Sequence, residues 1–151
     1  MRRGNLGDGI PDIPTIREAG IPISIGTDLN SRIAPAEDLR WIEYLQRTSR
    51  RMRGAVVDAD ARTGGALLEI GTRNGADSLG VAAGSIAAGR LADFAAVDLA
   101  HRTLDGVPVD ALTEAVVFGT GPEAIVGTCV GGRWLRGGPP RRSRPCSRSD
   151  R

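Results

Sequence analysis

Ile21-Pro22-Ile23-Ser24-Ile25-Gly26-Thr27-Asp28 is the stretch on which the reading of the fold turns. Ile21, Ile23 and Ile25 alternate with smaller residues, the pattern of a short strand in a sheet covered on both faces. Gly26 lets the backbone leave such a strand tightly, and Asp28 then stands at its carboxyl end. In a parallel α/β barrel, catalytic side chains project from the carboxyl ends of the strands. Asp is also common as a cap of the following turn. On the strand alone that is the more ordinary reading, and the flanks shift the balance.

Upstream, Asn5-Leu6-Gly7-Asp8-Gly9 marks a tight loop whose backbone can approach a ligand closely. Pro11 to Ala19 follows as a short helix stopped by Gly20, with Pro14 disturbing its first turn. Downstream, Leu29 to Ala34 is a loop. Pro35-Ala36-Glu37-Asp38 then opens a helix that runs to about Met52, with Pro and acids in the first turn. Leu39, Ile42 and Leu45 make its inner stripe, with Trp41 and Tyr44 on the shoulders. Arg47, Arg50, Arg51 and Arg53 read as a solvated helix terminus rather than a phosphate site. After a connection over Asp58 to Thr63, Gly64 to Asn74 reads as a second helix stopped by Gly75. Ala76 to Leu79 then adds one more turn, closed by Gly80.

From about residue 80 the character is mainly β. Gly84 to Asp93 reads as a glycine-punctuated hairpin and Phe94 to Leu99 as a strand. Asp110 to Phe118 is a short helix. Ala124 to Val130 is a strand, turning at Gly131-Gly132 into a return strand over Arg133 to Leu135. Gly137 onward is rich in Pro, Ser and Arg and is expected to be disordered.

The chain has 151 residues, enough for a packed body but short of the roughly 250 of a complete eight-stranded barrel. Aromatics are 3%, so the core must be built from Ala, Val, Ile and Leu. All 20 basic residues are Arg. Five of them, with one acid, lie in residues 137–151; the rest of the chain carries 15 Arg against 17 acids. A mildly acidic body argues against a nucleic-acid surface there. Cys129 and Cys146 make no disulfide framework. Neither a signal peptide nor a run of about 18 apolar residues is present, so a soluble, cytoplasmic, non-membrane protein is expected.

With both flanks read, the order resembles the C-terminal part of the amidohydrolase superfamily, the metal-dependent deaminases and related hydrolases. Three pieces carry the likeness: the Gly26-Thr27-Asp28 strand end; Gly71-Thr72-Arg73-Asn74-Gly75-Ala76, similar to the family's Ala-Thr-Arg-Asn-Gly-Ala; and the run from Gly84 to Asp98. Glu37-Asp38-Leu39-Arg40-Trp41-Ile42-Glu43-Tyr44-Leu45-Gln46-Arg47, with Asn5 to Gly9, most resembles the formimidoylglutamate deiminase branch. That branch carries Ser-Asp-Ser-His at the strand end, whereas this chain has Thr27-Asp28-Leu29-Asn30.

The resemblance implies an α/β fold: the C-terminal portion of a (β/α)8 TIM-like barrel over residues 1–79, part of a small β-sandwich domain over 80–136, and a tail over 137–151. It implies a hydrolase of non-peptide C–N bonds, converting N-formimidoyl-L-glutamate to N-formyl-L-glutamate and ammonia in histidine degradation. Zinc or another divalent metal would activate a water in the intact enzyme. Asp28 is the residue that matches the strand-end metal-contacting acid, which takes the water's proton and helps deliver it to ammonia. Asn5 and Asp8 would line the mouth of the same site as weaker substrate contacts. The expected partner is a small amidine or amine substrate, and the resemblance leaves room for a homodimer of the intact enzyme. The family's other metal ligands are histidines, and the single histidine, His101, reads as a surface residue. The chain is therefore expected to bind no metal tightly and to be inactive by itself. Met1 to Gly4 suggests a start inside a barrel loop. Two further hypotheses stand beside this one: a deaminase of cytosine, guanine or triazine type, and a non-catalytic stand-alone remnant.

Overall fold

The computed structural model describes Gly7, residues 9–27 and residues 32–136. Helix α1 spans Ile13–Glu18, and Asp12 caps it by accepting the Thr15 amide at 3.2 Å. Pro14 stands within the first turn, where its missing N–H costs nothing, so it does not disturb the helix as expected. Gly20 follows the helix at φ +72°, the left-handed conformation that suits a helix end.

Helix α2, Pro35–Arg50, begins at its proline with Glu37 and Asp38 in the first turn and ends with Arg47 and Arg50 in the last. Its buried face is more polar than the sequence suggests. Leu39 is buried as expected, but beside it lie Asp38, Glu43 and Gln46. Polar groups tolerate burial only when paired. Glu43 accepts the amides of Gly54, Ala55 and Val56 at 2.9, 3.3 and 2.9 Å, and Gln46 Nε2 donates to the Pro11 carbonyl at 2.8 Å. These two side chains therefore serve as anchors for loops rather than as solvent contacts.

The next helical run breaks earlier than expected. Helix α3 spans Thr63–Gly71 and helix α4 spans Arg73–Ser78, with the break at Thr72 rather than at Gly75. The Thr72 hydroxyl donates to the Leu68 carbonyl at 2.6 Å, while its amide donates to the Glu69 carbonyl at 3.3 Å. This is the local competition by which Ser and Thr bend helices. The break is also packed from outside. Gly84, at φ +77°, lies so close that a Cβ there would sit 2.7 Å from Arg73 Cα.

Helix α5, Leu112–Gly119, follows a 3₁₀ turn over Val109–Ala111. It meets α3 through Gly64, whose Cβ would lie 2.9 Å from the Glu114 amide nitrogen. Arg40 donates to the Phe118 and Thr120 carbonyls at 3.4 and 3.1 Å and so ties α2 to the end of α5. The core between these helices is Ile13, Leu39, Val56, Ala66, Leu67, Ile70 and Val117, with Ile23, Ile25, Ile42, Leu68 and Phe118 packed on it.

Among the described residues three strands form a sheet: β1 Phe94–Val97, β2 Ile125–Val130 and β3 Arg133–Arg136, antiparallel in the order β1-β2-β3. Gly131 and Gly132 take φ +56° and +79°, as a two-residue turn between right-twisted strands demands. Cys129 is buried and pairs with both Phe94 and Trp134, whose rings meet edge to face at 5.4 Å.

Two expected β elements are not formed. Residues 84–93 make a loop closed by the Leu91 amide on the Ala82 carbonyl at 2.8 Å, not a hairpin. Ile86 and Leu91 are exposed there, so no apolar face rewards pairing. Residues 21–27 make no strand either. Strand geometry needs a ladder partner, and no strand lies beside this segment among the described residues. Ile21 is accordingly 55% exposed, while Ile23 and Ile25 rest on the helical core. No helix among the described residues is long and apolar enough to cross a membrane.

Candidate functional site

Asn5, Asp8 and Asp28, the three residues singled out for the site, lie outside the described residues. What the structure describes is their approach. Gly7 and Gly9, on either side of Asp8, take φ +71° and +83°. Positive φ is a backbone region that glycine adopts readily. The segment leading to Asp28 is held from two sides. Ile23 and Ile25 pack on the core, and Asn74 Nδ2 donates to the Ile23 carbonyl at 2.9 Å.

The arginines around the end of α2 are mostly committed. Arg47 Nε donates to Glu43 at 2.8 Å, and its guanidinium lies 5.5 Å from the Tyr44 ring centre and 5.3 Å from that of Phe118. Arg50 pairs with Asp12. That ion pair, with the Thr15 amide, holds the Asp12 carboxyl below the usual carboxylate range. Arg47 and Arg50 are thus structural cations and not an anion site, though not the merely solvated terminus the sequence suggests.

His101 is half-buried in a turn, with Nδ1 3.0 Å from the Thr103 hydroxyl. Among the described residues no group of three or more His, Cys, Asp or Glu is placed to hold a metal. An open cleft of about 320 Å³ is lined by Asp58, Gly65, Glu69, Thr72, Arg73 and Gly84. No motif in the sequence points to it. Its charged groups are already engaged: Arg73 with Glu69 at 3.1 Å, and Asp58 with the Asp60 and Arg62 amides at 3.0 and 2.9 Å. It holds no nucleophile–base pair. Asn74 was also missed as a contact, although it lies inside the quoted Gly71–Ala76 motif.

The model of the amidohydrolase family matches residues 2–135. The chain belongs to the amidohydrolase family. This amidohydrolase is 34% identical over 132 residues to a formimidoylglutamate deiminase of Pseudomonas aeruginosa, a match covering 87% of the chain and 29% of that protein. It is also 34% identical over 99 residues to a 5-methylthioadenosine/S-adenosylhomocysteine deaminase of Halalkalibacterium halodurans, covering 65% of the chain and 22% of the relative. Among solved structures, an amidohydrolase from Brucella melitensis superposes with a TM-score of 0.76 at 26% identity, over 91% of this chain and 30% of that one. An adenosine deaminase from Xanthomonas campestris with bound zinc superposes with a TM-score of 0.73 at 21% identity, over 89% and 30%, and shares the fold. The chain thus spans less than a third of the relatives it matches.

Proposed function

We propose that this amidohydrolase chain is the C-terminal part of a deiminase that hydrolyses the C–N bond of N-formimidoyl-L-glutamate, giving N-formyl-L-glutamate and ammonia, as in histidine breakdown. The observation that carries the reading is the 34% identity to the Pseudomonas deiminase across 87% of the chain. Residues 1–79 would then be the last part of a (β/α)8 barrel, 80–136 part of the small β-sandwich domain, and 137–151 a tail. Asp28 is the proposed acid of the site, moving a proton from the attacking water to the departing ammonia. Asn5 and Asp8 would line its mouth.

Zinc or another divalent ion would activate the water in the intact enzyme. The described residues do not fit it by themselves, since no three donors among them converge. A zinc centre takes three or four protein ligands, and Asp28 adds one carboxylate at most.

A second reading is a deaminase of a cyclic amine. It is favoured by Leu29-Asn30, where the deiminase branch has Ser-His, and by the identity to the methylthioadenosine-type deaminase. A third is a stand-alone remnant without catalysis, motivated by the Arg-rich tail and the missing metal-ligand histidines.

One chimera separates the three. Residues 5–136 replace the matching segment of the Pseudomonas deiminase, and ammonia release is followed. Turnover of formimidoylglutamate that is lost in Asp28→Asn supports the first reading. Turnover of an adenosine-type or cytosine-type amine instead supports the second. A folded, zinc-loaded chimera inactive on both classes leaves the third.

A further inference from the structure

Segment 21–27 poses a physical problem. It has no ladder among the described residues, so its place along its own axis is set by other contacts. Packing of Ile23 and Ile25 fixes it laterally, but apolar contact is non-directional and resists sliding along the segment poorly. At the start of the segment the Ile21 amide donates to the Ile16 carbonyl at 3.2 Å; in its middle a directional contact comes from 51 residues away, where Asn74 Nδ2 donates to the Ile23 carbonyl at 2.9 Å.

Several features serve this contact. Asn is an ordinary-to-poor helix former, better suited to caps and turns, yet Asn74 is the second residue of α4. Helix α4 exists as a separate helix because the run breaks at Thr72, and the break is buttressed by the close approach of Gly84 to Arg73. The break and the glycine together turn a half-buried amide onto one backbone carbonyl. A Leu of similar size would fill the space without the donor; an ionised Asp would point charge at an oxygen.

We propose that Asn74 is a positioning residue for the middle of Ile21–Thr27 and, through that segment, for the Asp28 carboxylate. The second half rests on the reading of Asp28 as the site acid; the first half does not. Holding a reacting group within a fraction of an ångström is what such supporting contacts contribute to catalysis.

The test is hydrogen exchange on the full 151-residue chain, read peptide by peptide. In Asn74→Ala, amides of residues 23–27 should exchange about 3- to 10-fold faster, the loss of one hydrogen bond. Amides of α3 should be unchanged. Asn74→Asp supplies a readout that general destabilisation would not give. At neutral pH its carboxylate cannot donate, and exchange over 23–27 should match Asn74→Ala. Near pH 4, where the carboxyl regains its proton, exchange relative to wild type at the same pH should return toward unity. Unchanged exchange over 23–27 in both variants overturns the proposal. So does a uniform increase across the whole chain with no recovery in acid. Neither outcome depends on what Asp28 does, which the chimera tests separately.

Discussion

The Glu43 carboxylate, fully buried on α2, accepts the Val56 amide at 2.9 Å. The same carboxylate takes the Gly54 and Ala55 amides and the Arg47 guanidinium. Four donors on one buried anion make a lock between α2 and the loop that precedes α3. Removing the acceptor strands the buried Val56 amide, while the half-buried Gly54 and Ala55 amides and the Arg47 guanidinium can turn to water. Glu43→Ala should therefore cost about 1–3 kcal/mol. Glu43→Gln, which keeps one acceptor oxygen, should cost clearly less. Urea midpoints of the three proteins measure the order; equal midpoints would show that the loop is held by other means.

Two helical glycines should respond to alanine with opposite signs. Ala is favoured over Gly in a helix interior by about 1 kcal/mol. At Gly75 in α4 a Cβ meets nothing within 4 Å, so Gly75→Ala should stabilise by up to about that amount. At Gly64 the new Cβ would lie 2.9 Å from the Glu114 nitrogen and 3.0 Å from its Cα. Backbone cannot swing aside, so α3 and α5 must part. Overpacking of this kind costs about 1–3 kcal/mol, which outweighs the propensity gain. Thermal unfolding of the two variants decides; stabilisation by both would mean that the helices are not in close contact there.

Asp12 should titrate below an ordinary carboxylate because Arg50 pairs with it and the Thr15 amide donates to it. A carboxyl whose pKa is lower when folded stabilises the fold above its unfolded pKa. That contribution is lost as pH falls through the folded value. Arg50→Ala should raise the Asp12 pKa toward the ordinary range. It should destabilise slightly at neutral pH, with the difference vanishing in strong acid. The effect is small because the pair is exposed to solvent. Carbon-detected NMR titration of the Asp12 carboxyl in both proteins gives the answer directly.

Zinc titrated into the purified chain should show no tight one-to-one site by calorimetry, because no three donors converge among the described residues. His101→Ala should leave the isotherm unchanged, since the His101 ring is turned to Thr103. A tight stoichiometric site would mean that residues outside the described set assemble one.

Much of this architecture was legible residue by residue. Pro35 and the acids after it mark the start of α2, Gly131-Gly132 marks the β2–β3 turn, and Cys129 reads as a small buried residue; each rests on chemistry within a few positions. Harder to read were the inner face of α2, where Leu45 was expected and Glu43 and Gln46 are buried, and the break at Thr72. Arg47 and Arg50 read as a bare cationic cluster because their partners, Glu43 and Asp12, count as surface acids until the fold is known. The site residues Asp28, Asn5 and Asp8 rest on motif likeness and family membership.

The sequence by itself determined the start of α2, the tight hairpin and the family, because caps, turns and motifs are local. The tertiary structure alone decided which polar side chains go inside and whether Ile21–Thr27 is a strand. Burial of Glu43 depends on amides 11 to 13 residues away, and a strand depends on a neighbour to share its ladder. Where that neighbour is missing among the described residues, the Ile23 carbonyl is satisfied by a side chain, Asn74, from 51 residues along the chain.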